Sequence, residues 1–186
     1  VVQVALAFVL LSGASLLSLS LKRVLETPPG FHAEHVLTGM INLSWNRYPG
    51  RSVQLTLADR LLTAVRVLPG VTQVAINNSM PFTGRVAGAP VSIEGRVVGP
   101  GETVRAQHRS GVTSDYFAAM GIPLLRGRLL DEADNQRSPT VCLIDQAMAE
   151  RYWPGTDPIG HRLAFNPTFT EKDAATVVGV VGNVKQ

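Results

Sequence analysis

The chain has 186 residues, 17 basic and 14 acidic side chains, four His, one Cys and a formal charge of +3, and 45% of it is hydrophobic. That length allows one or two domains with a core that needs no staples, and the lone Cys142 excludes an intramolecular disulfide framework and a Cys-rich zinc site. Charged residues make up 17%, below the roughly 25% usual in soluble domains; apolar content and scattered Gly and Pro exclude disorder, collagen and coiled coil.

The low charge has one source. Every charged residue lies between Lys22 and Lys185, and residues 1–21 (VVQVALAFVLLSGASLLSLSL) carry none. As a helix rising about 1.5 Å per residue they span roughly 31 Å, close to a hydrocarbon core of about 30 Å. Three readings compete. A signal peptide opens on a basic region and has a shorter apolar run, and nothing basic precedes this one. A core helix of a soluble domain rarely stays uncharged for so long. The length therefore favours a transmembrane helix over residues 1–25. No initiator Met is present, so the chain is expected to begin part-way through a longer protein. Lys22 and Arg23 follow the run, but the positive-inside rule compares both flanks, and these two residues alone leave the orientation open.

Beyond Glu26, Thr27-Pro28-Pro29-Gly30 is a rigid exit, because neither proline continues a helix. Residues 35–44 (HVLTGMINLS) have strand composition. Residues 52–68 repeat at helical spacing, with Val53, Leu57, Leu61, Ala64, Val65 and Leu68 on one side, Ser52 as N-cap and Pro69-Gly70 as stop. Residues 71–77 (VTQVAIN) are a second strand candidate, which makes a βαβ-like or split βαβ unit. Short strands are expected at 91–96 and 103–109 around the Gly99-Pro100-Gly101 turn. A short helix is expected at 114–120, anchored by buried Tyr116, Phe117 and Met120. Residues 141–144 read as a strand, Asp145 as the N-cap of a helix over 146–152, Pro154-Gly155 as its end and 176–184 as a last strand. Ile144, Met148 and Tyr152 are expected in the same core as those anchors, and Trp153 adds a further large apolar side chain. The body is α+β.

Candidate chemistry is sparse. His32, Glu34 and His35 cluster, but the two His are three apart after a turn and not four apart on a helix. Asp131-Glu132-Ala133-Asp134-Asn135 resembles the start of a calcium loop, yet Ala133 and Gln136 break the pattern, and a solvated turn fits better. Gly179 and Gly182 form G-x-x-G inside a β-branched run, which suits a bulge or close packing and not a dinucleotide fingerprint. No phosphate-binding loop motif occurs. Ser114, Asp115 and the dispersed His32, His35, His108 and His161 define no nucleophile with its base. Cys142 within an apolar strand reads as a buried, inert thiol. The 14 arginines are spread along the chain, which argues against nucleic acid as a partner.

Two stretches carry a resemblance: 112–128 (VTSDYFAAMGIPLLRGR), and 141–160 (VCLIDQAMAERYWPGTDPIG) closing with 177–184 (VVGVVGNV). With Pro29-Gly30-Phe31, Arg47-Tyr48-Pro49 and Leu68-Pro69-Gly70-Val71, the chain resembles the periplasmic core domain of MacB-like and FtsX-like ABC transporter permeases, in flavour the acidobacterial duplicated branch. The resemblance implies a first transmembrane helix leaving the cytoplasm. An extracytoplasmic domain over 26–186 then follows, cut short at its C-terminal end, with a small α/β part inserted at about 81–175. It implies residence in the bacterial inner membrane. A cytoplasmic ABC ATPase, a second permease copy or an internal duplicate, a periplasmic adaptor and the lipid bilayer are the implied partners. It implies transmission of ATPase-driven movement for export, with no catalytic, cofactor-binding or metal-ligating residue in this chain. An anchored sensor or ligand-binding domain is the alternative, and an anchored enzyme the weakest reading.

Overall fold

The structure, a computed structural model, describes residues 2–25, 29–32, 34–44, 46–79, 88–96, 99, 104–106, 109–135 and 138–184. Helix α1 runs over Val2–Leu25, with Lys22 and Arg23 in its last turn. A helix on a soluble core buries one stripe. Here the side chains from Val2 to Arg23 are exposed all round, Phe8, Leu11 and Leu17 among them, so the expected helix free of the body is found. It is long and apolar enough to cross a membrane.

Helix α2 spans Arg51–Arg66, and its start departs from expectation. Gly50 is the N-cap, with no side-chain bond, and Ser52 lies inside the helix, its carbonyl accepting from Thr56 Oγ1 at 3.0 Å. The stop is as expected: Val67 caps onto the Val65 carbonyl ahead of Pro69-Gly70. The buried side is rotated from the one read in the sequence. Leu62 is its buried residue, with Leu57, Leu61 and Val65 half-buried, whereas Val53, Ala64 and Leu68 are exposed. Arg66 pairs with Asp115 and so helps to set which side turns inward.

The strands expected on either side of α2 do not form. Residues 36–44 lie in no ladder, and Leu37 is 99% exposed. Residues 71–76 are held only near their end, where Asn77 bridges Val112 and Thr113 N–H donates to the Ile76 carbonyl at 3.0 Å. β-Branched composition describes what fits a sheet face, and extended chain without a partner edge remains unpaired.

The ordered body follows. β1 (Ala89–Pro90) pairs antiparallel with β3 (Arg105–Ala106), and β2 is Ser92–Ile93. Then come α3 (Tyr116–Ala119), β4 (Leu124–Gly127), β5 (Val141–Asp145), α4 (Gln146–Tyr152), β6 (Arg162–Ala164), a 3-10 turn at Glu171–Asp173 and β7 (Ala174–Val181). β7 is the spine of a five-stranded sheet. β5 lies parallel along one edge of β7; β6 and β4 follow one another antiparallel along the other, and β2 extends the sheet beyond β6. A parallel pair needs a crossover, which α4 and β6 supply.

The core lies between this sheet and α4. Leu163, Val177 and Val180 are fully buried, and Val91, Ile93, Val104, Ile144, Ala149 and Trp153 close around them. Each such aliphatic side chain contributes about 1.5–3 kcal/mol by leaving water. Ile144 belongs to this cluster, with Met148 and Tyr152 half-buried against it. Tyr116, Phe117 and Met120 do not belong. They are half-buried outside the cluster, Tyr116 and Phe117 meeting edge-on at 5.4 Å. A four-residue helix (α3) has too little face to carry three large anchors into a distant sheet.

Gly179 supports the close-packing reading of the final glycine pair. It sits opposite the register shift in β5 and pairs with Gly127 of β4, and a Cβ there would stand 2.7 Å from Leu143 Cδ2 and 3.1 Å from the Arg126 carbonyl oxygen. Gly182 packs on Pro123, whose Cγ would lie 3.0 Å from an added Cβ.

Candidate functional site

Three arginines, Arg66, Arg128 and Arg162, pair with carboxylates on the surface. Arg128 grips Asp134 through both nitrogens, at 2.6 and 2.8 Å, and Asp134 Oδ2 also accepts from Asp131 N–H at 3.0 Å. Asp131 Oδ1 accepts from Ala133 N–H at 2.7 Å, so the acidic run is an Asx-type turn pinned by an arginine. That guanidinium holds the Asp134 carboxyl below its ordinary range. Arg162 joins Glu94 and Glu171 across two strands and the 3-10 turn, and the Arg162 hydrogen bond holds Glu94 low as well. Burial pushes the Cys142 thiol up to about 12, which leaves it protonated and unreactive.

His32 and His35 are themselves exposed, His161 stands beside Trp153, and His108 falls outside the described residues. Among the described residues no three His, Cys, Asp or Glu side chains gather as metal ligands would. One open depression of about 550 Å³ lies at the C-terminal end of α4, lined by Arg126, Glu150, Trp153 and Asp157 among others. It is unenclosed, and Glu150 is engaged by Gln146 Nε2 at 2.7 Å.

Close packing is also found at residues 29–32, which begin four positions after the end of α1. Residues 29–32 seat on the body at three points. Gly30 adopts φ +87, and a Cβ there would overlap the Asn183 carbonyl oxygen and stand 3.1 Å from Val184 Cα. His32 N–H donates to the Met120 carbonyl at 2.8 Å. The His32 imidazole covers Gly121, at φ +63, where a Cβ would stand 2.7 Å from Nδ1. Both glycines are thus required twice, for a left-handed backbone and for the lack of a side chain.

Asn183 extends the junction inward. Its Oδ1 accepts from Ala147 N–H at 2.8 Å, while Asp145 Oδ1 accepts from Met148 N–H at 2.7 Å. The first turn of α4 leaves N–H groups without intrahelical partners. Asp145 supplies a local cap, as the sequence implies, and Asn183 supplies a second from the far end of β7. Nothing local in the sequence marks Asn183, Met120 or Ala147 for such a role. The available signal is a polar Asn closing a run of Val and Gly.

Residues 14–186 match the family model of the MacB-like periplasmic core domain, and the chain belongs to that family. It is similar to the macrolide export ATP-binding/permease protein MacB of Neisseria gonorrhoeae and of Neisseria meningitidis. Each is 35% identical over 71 residues, or 38% of this chain and 10% of the relative. Among solved structures it is similar to the periplasmic region of MacB from Actinobacillus actinomycetemcomitans, at 22% identity and a TM-score of 0.48, over 69% of this chain and 51% of that one. It is also similar to the extracellular domain of the noncanonic ABC-type transporter YknZ from Gram-positive bacteria, at 18% identity and a TM-score of 0.46, over 67% and 57%. The matched stretch is a tenth of the length of the curated relatives. A periplasmic core domain led by an apolar helix of spanning length is a membrane-anchored, periplasm-facing unit.

Proposed function

We propose that this domain is the extracytoplasmic transmission element of a MacB-type ABC permease. It receives movement driven by a cytoplasmic ATPase through α1 and delivers it on the outer side of the bacterial inner membrane, for export. The observation that carries this reading is the seating of residues 29–32, which begin four positions after Leu25 at the end of α1, on Asn183, Met120 and Gly121. A segment that slid freely on the body would absorb displacement. A segment held by a backbone hydrogen bond and by packing at two glycines too tight for any side chain passes it on.

The partners in this reading are the ATPase, a second permease copy or an internal duplicate of the acidobacterial kind, and a periplasmic adaptor. The inserted part begins near residue 81. In this reading it runs to about residue 175, at the start of β7, the strand that pairs with β4, β5 and β6. The extended segments flanking α2 then belong to the part that it interrupts.

Deleting residues 88–181 from the full permease, with a short Gly-Ser bridge in their place, tests the proposal. Export by the permease with its ATPase is expected to cease while the ATPase still binds nucleotide. Export at the wild-type rate by a correctly inserted deletion variant would overturn it.

A further inference from the structure

We propose that Asn183 is the positioning residue of this transmission, coupling residues 29–32, the described segment that follows the membrane helix, to helix α4. The inference rests on the transmission reading above and deepens it by naming the joint. One residue makes both links. Its main-chain carbonyl bears on Gly30, and its side-chain amide oxygen holds the Ala147 N–H at 2.8 Å. A shift of residues 29–32 toward the body meets a carbonyl that cannot give way without moving the Asn183 backbone. That backbone carries the amide that caps α4.

The next elements are stiff. Asn183 lies two residues beyond β7, the strand that holds the sheet together, and Gly182 packs on Pro123 while its N–H donates to the Pro123 carbonyl at 2.9 Å. On the other side, Ala149 of α4 is 1% exposed in the core, and Trp153 just beyond α4 is buried in the same cluster. α4 therefore moves with the sheet or breaks its cap. Its outer end borders the depression formed by Arg126, Glu150, Trp153 and Asp157. Displacement entering at Gly30 emerges at that face, at the end of α4 away from Asn183.

The joint predicts a specific dependence on the side-chain oxygen. Asn183→Asp keeps an acceptor at the same reach, and its negative charge suits the first turn of a helix. Asn183→Ala keeps the carbonyl against Gly30 and removes the link to Ala147.

The test is hydrogen exchange in the full permease with its ATPase in nanodiscs, nucleotide-free and trapped with ATP, read on peptides covering 29–32 and 146–152. In the wild type both peptides are expected to change exchange rate together on trapping. In Asn183→Ala the 29–32 peptide is expected to respond as before and the 146–152 peptide to lose its response, with Ala147 exchanging about fivefold faster in both states for want of its cap. Asn183→Asp is expected to restore the joint response. A purely structural cap would speed Ala147 but leave the nucleotide response of 146–152 intact, and that result overturns the inference. A wild type in which 29–32 responds and 146–152 does not also overturns it, while leaving the transmission reading in place. If neither peptide responds, the transmission reading fails, and the joint with it.

Discussion

The side chain of Leu143 lies against Gly179, where β5 slips register along β7. Two neighbouring carbonyls, of Arg126 and Arg128, close the same space from the other edge. Flexible side chains can retreat from a methyl group, and main-chain oxygens in a ladder cannot. Gly179→Ala is therefore expected to destabilise the body by at least the about 1–3 kcal/mol usual for overpacking. Urea unfolding of the purified variant checks this. An unchanged midpoint would contradict the packing described.

Leu163 is the largest fully buried side chain, placed where β6 meets β7. Leu163→Ala leaves a cavity in the cluster that holds Val177, Val180 and Trp153 and is expected to cost about 2–5 kcal/mol. Calorimetric or denaturant unfolding measures it directly. The same truncation at Leu37, which is 99% exposed, is expected to change stability of this chain by no more than about 0.5 kcal/mol.

Cys142 offers a probe of global opening. Burial raises its thiol to about 12, so at pH 8 the reactive thiolate is scarce. Labelling by a disulfide reagent is expected to be slow in the folded domain and to become rapid in denaturant, at the unfolding midpoint seen by fluorescence of Trp153. Fast labelling of the folded protein would show that the strand is open to solvent.

Arg128 depresses the carboxyl of Asp134 through its paired hydrogen bonds. A group held below its unfolded value, ordinarily about 3.9, stabilises the fold above that value. The contribution is lost as pH falls through the lower, folded value. Acid titration followed by NMR is expected to find Asp134 titrating below the ordinary range, and Asp134→Asn to remove that part of the acid dependence. A normal titration would mean that the bidentate pair does not persist in solution.

Much of the body is legible in the sequence because its signals are local. Asp145 before QAMAERY and Pro154-Gly155 after it are a cap and a stop, and α4 occupies the expected residues. The free apolar helix is equally local, since an uncharged run of that length has one comfortable medium. β4 and β6 escape notice for the opposite reason. LLRG and RLA are too short to show alternation, and they become strands only because β7 offers an edge. The same dependence works in reverse at residues 36–44, where suitable composition meets no edge and remains unpaired. The joint at Gly30 is least legible, since Pro29-Gly30 and Asn183 stand near opposite ends of the chain and only the fold brings them together.

In the transmission proposed above, nucleotide on one side of the membrane moves this domain on the other. Cys142 is buried, so Lys172→Cys, on the exposed 3-10 turn, gives a labelling site on the body. With the full permease and its ATPase in nanodiscs carrying acceptor dyes on the lipid headgroups, energy transfer from that label reports the height of the body above the bilayer. Transfer is expected to change between the nucleotide-free state and the state trapped with ATP, and to reverse when nucleotide is removed. Transfer that stays the same in both states, with the ATPase demonstrably loaded, would contradict it.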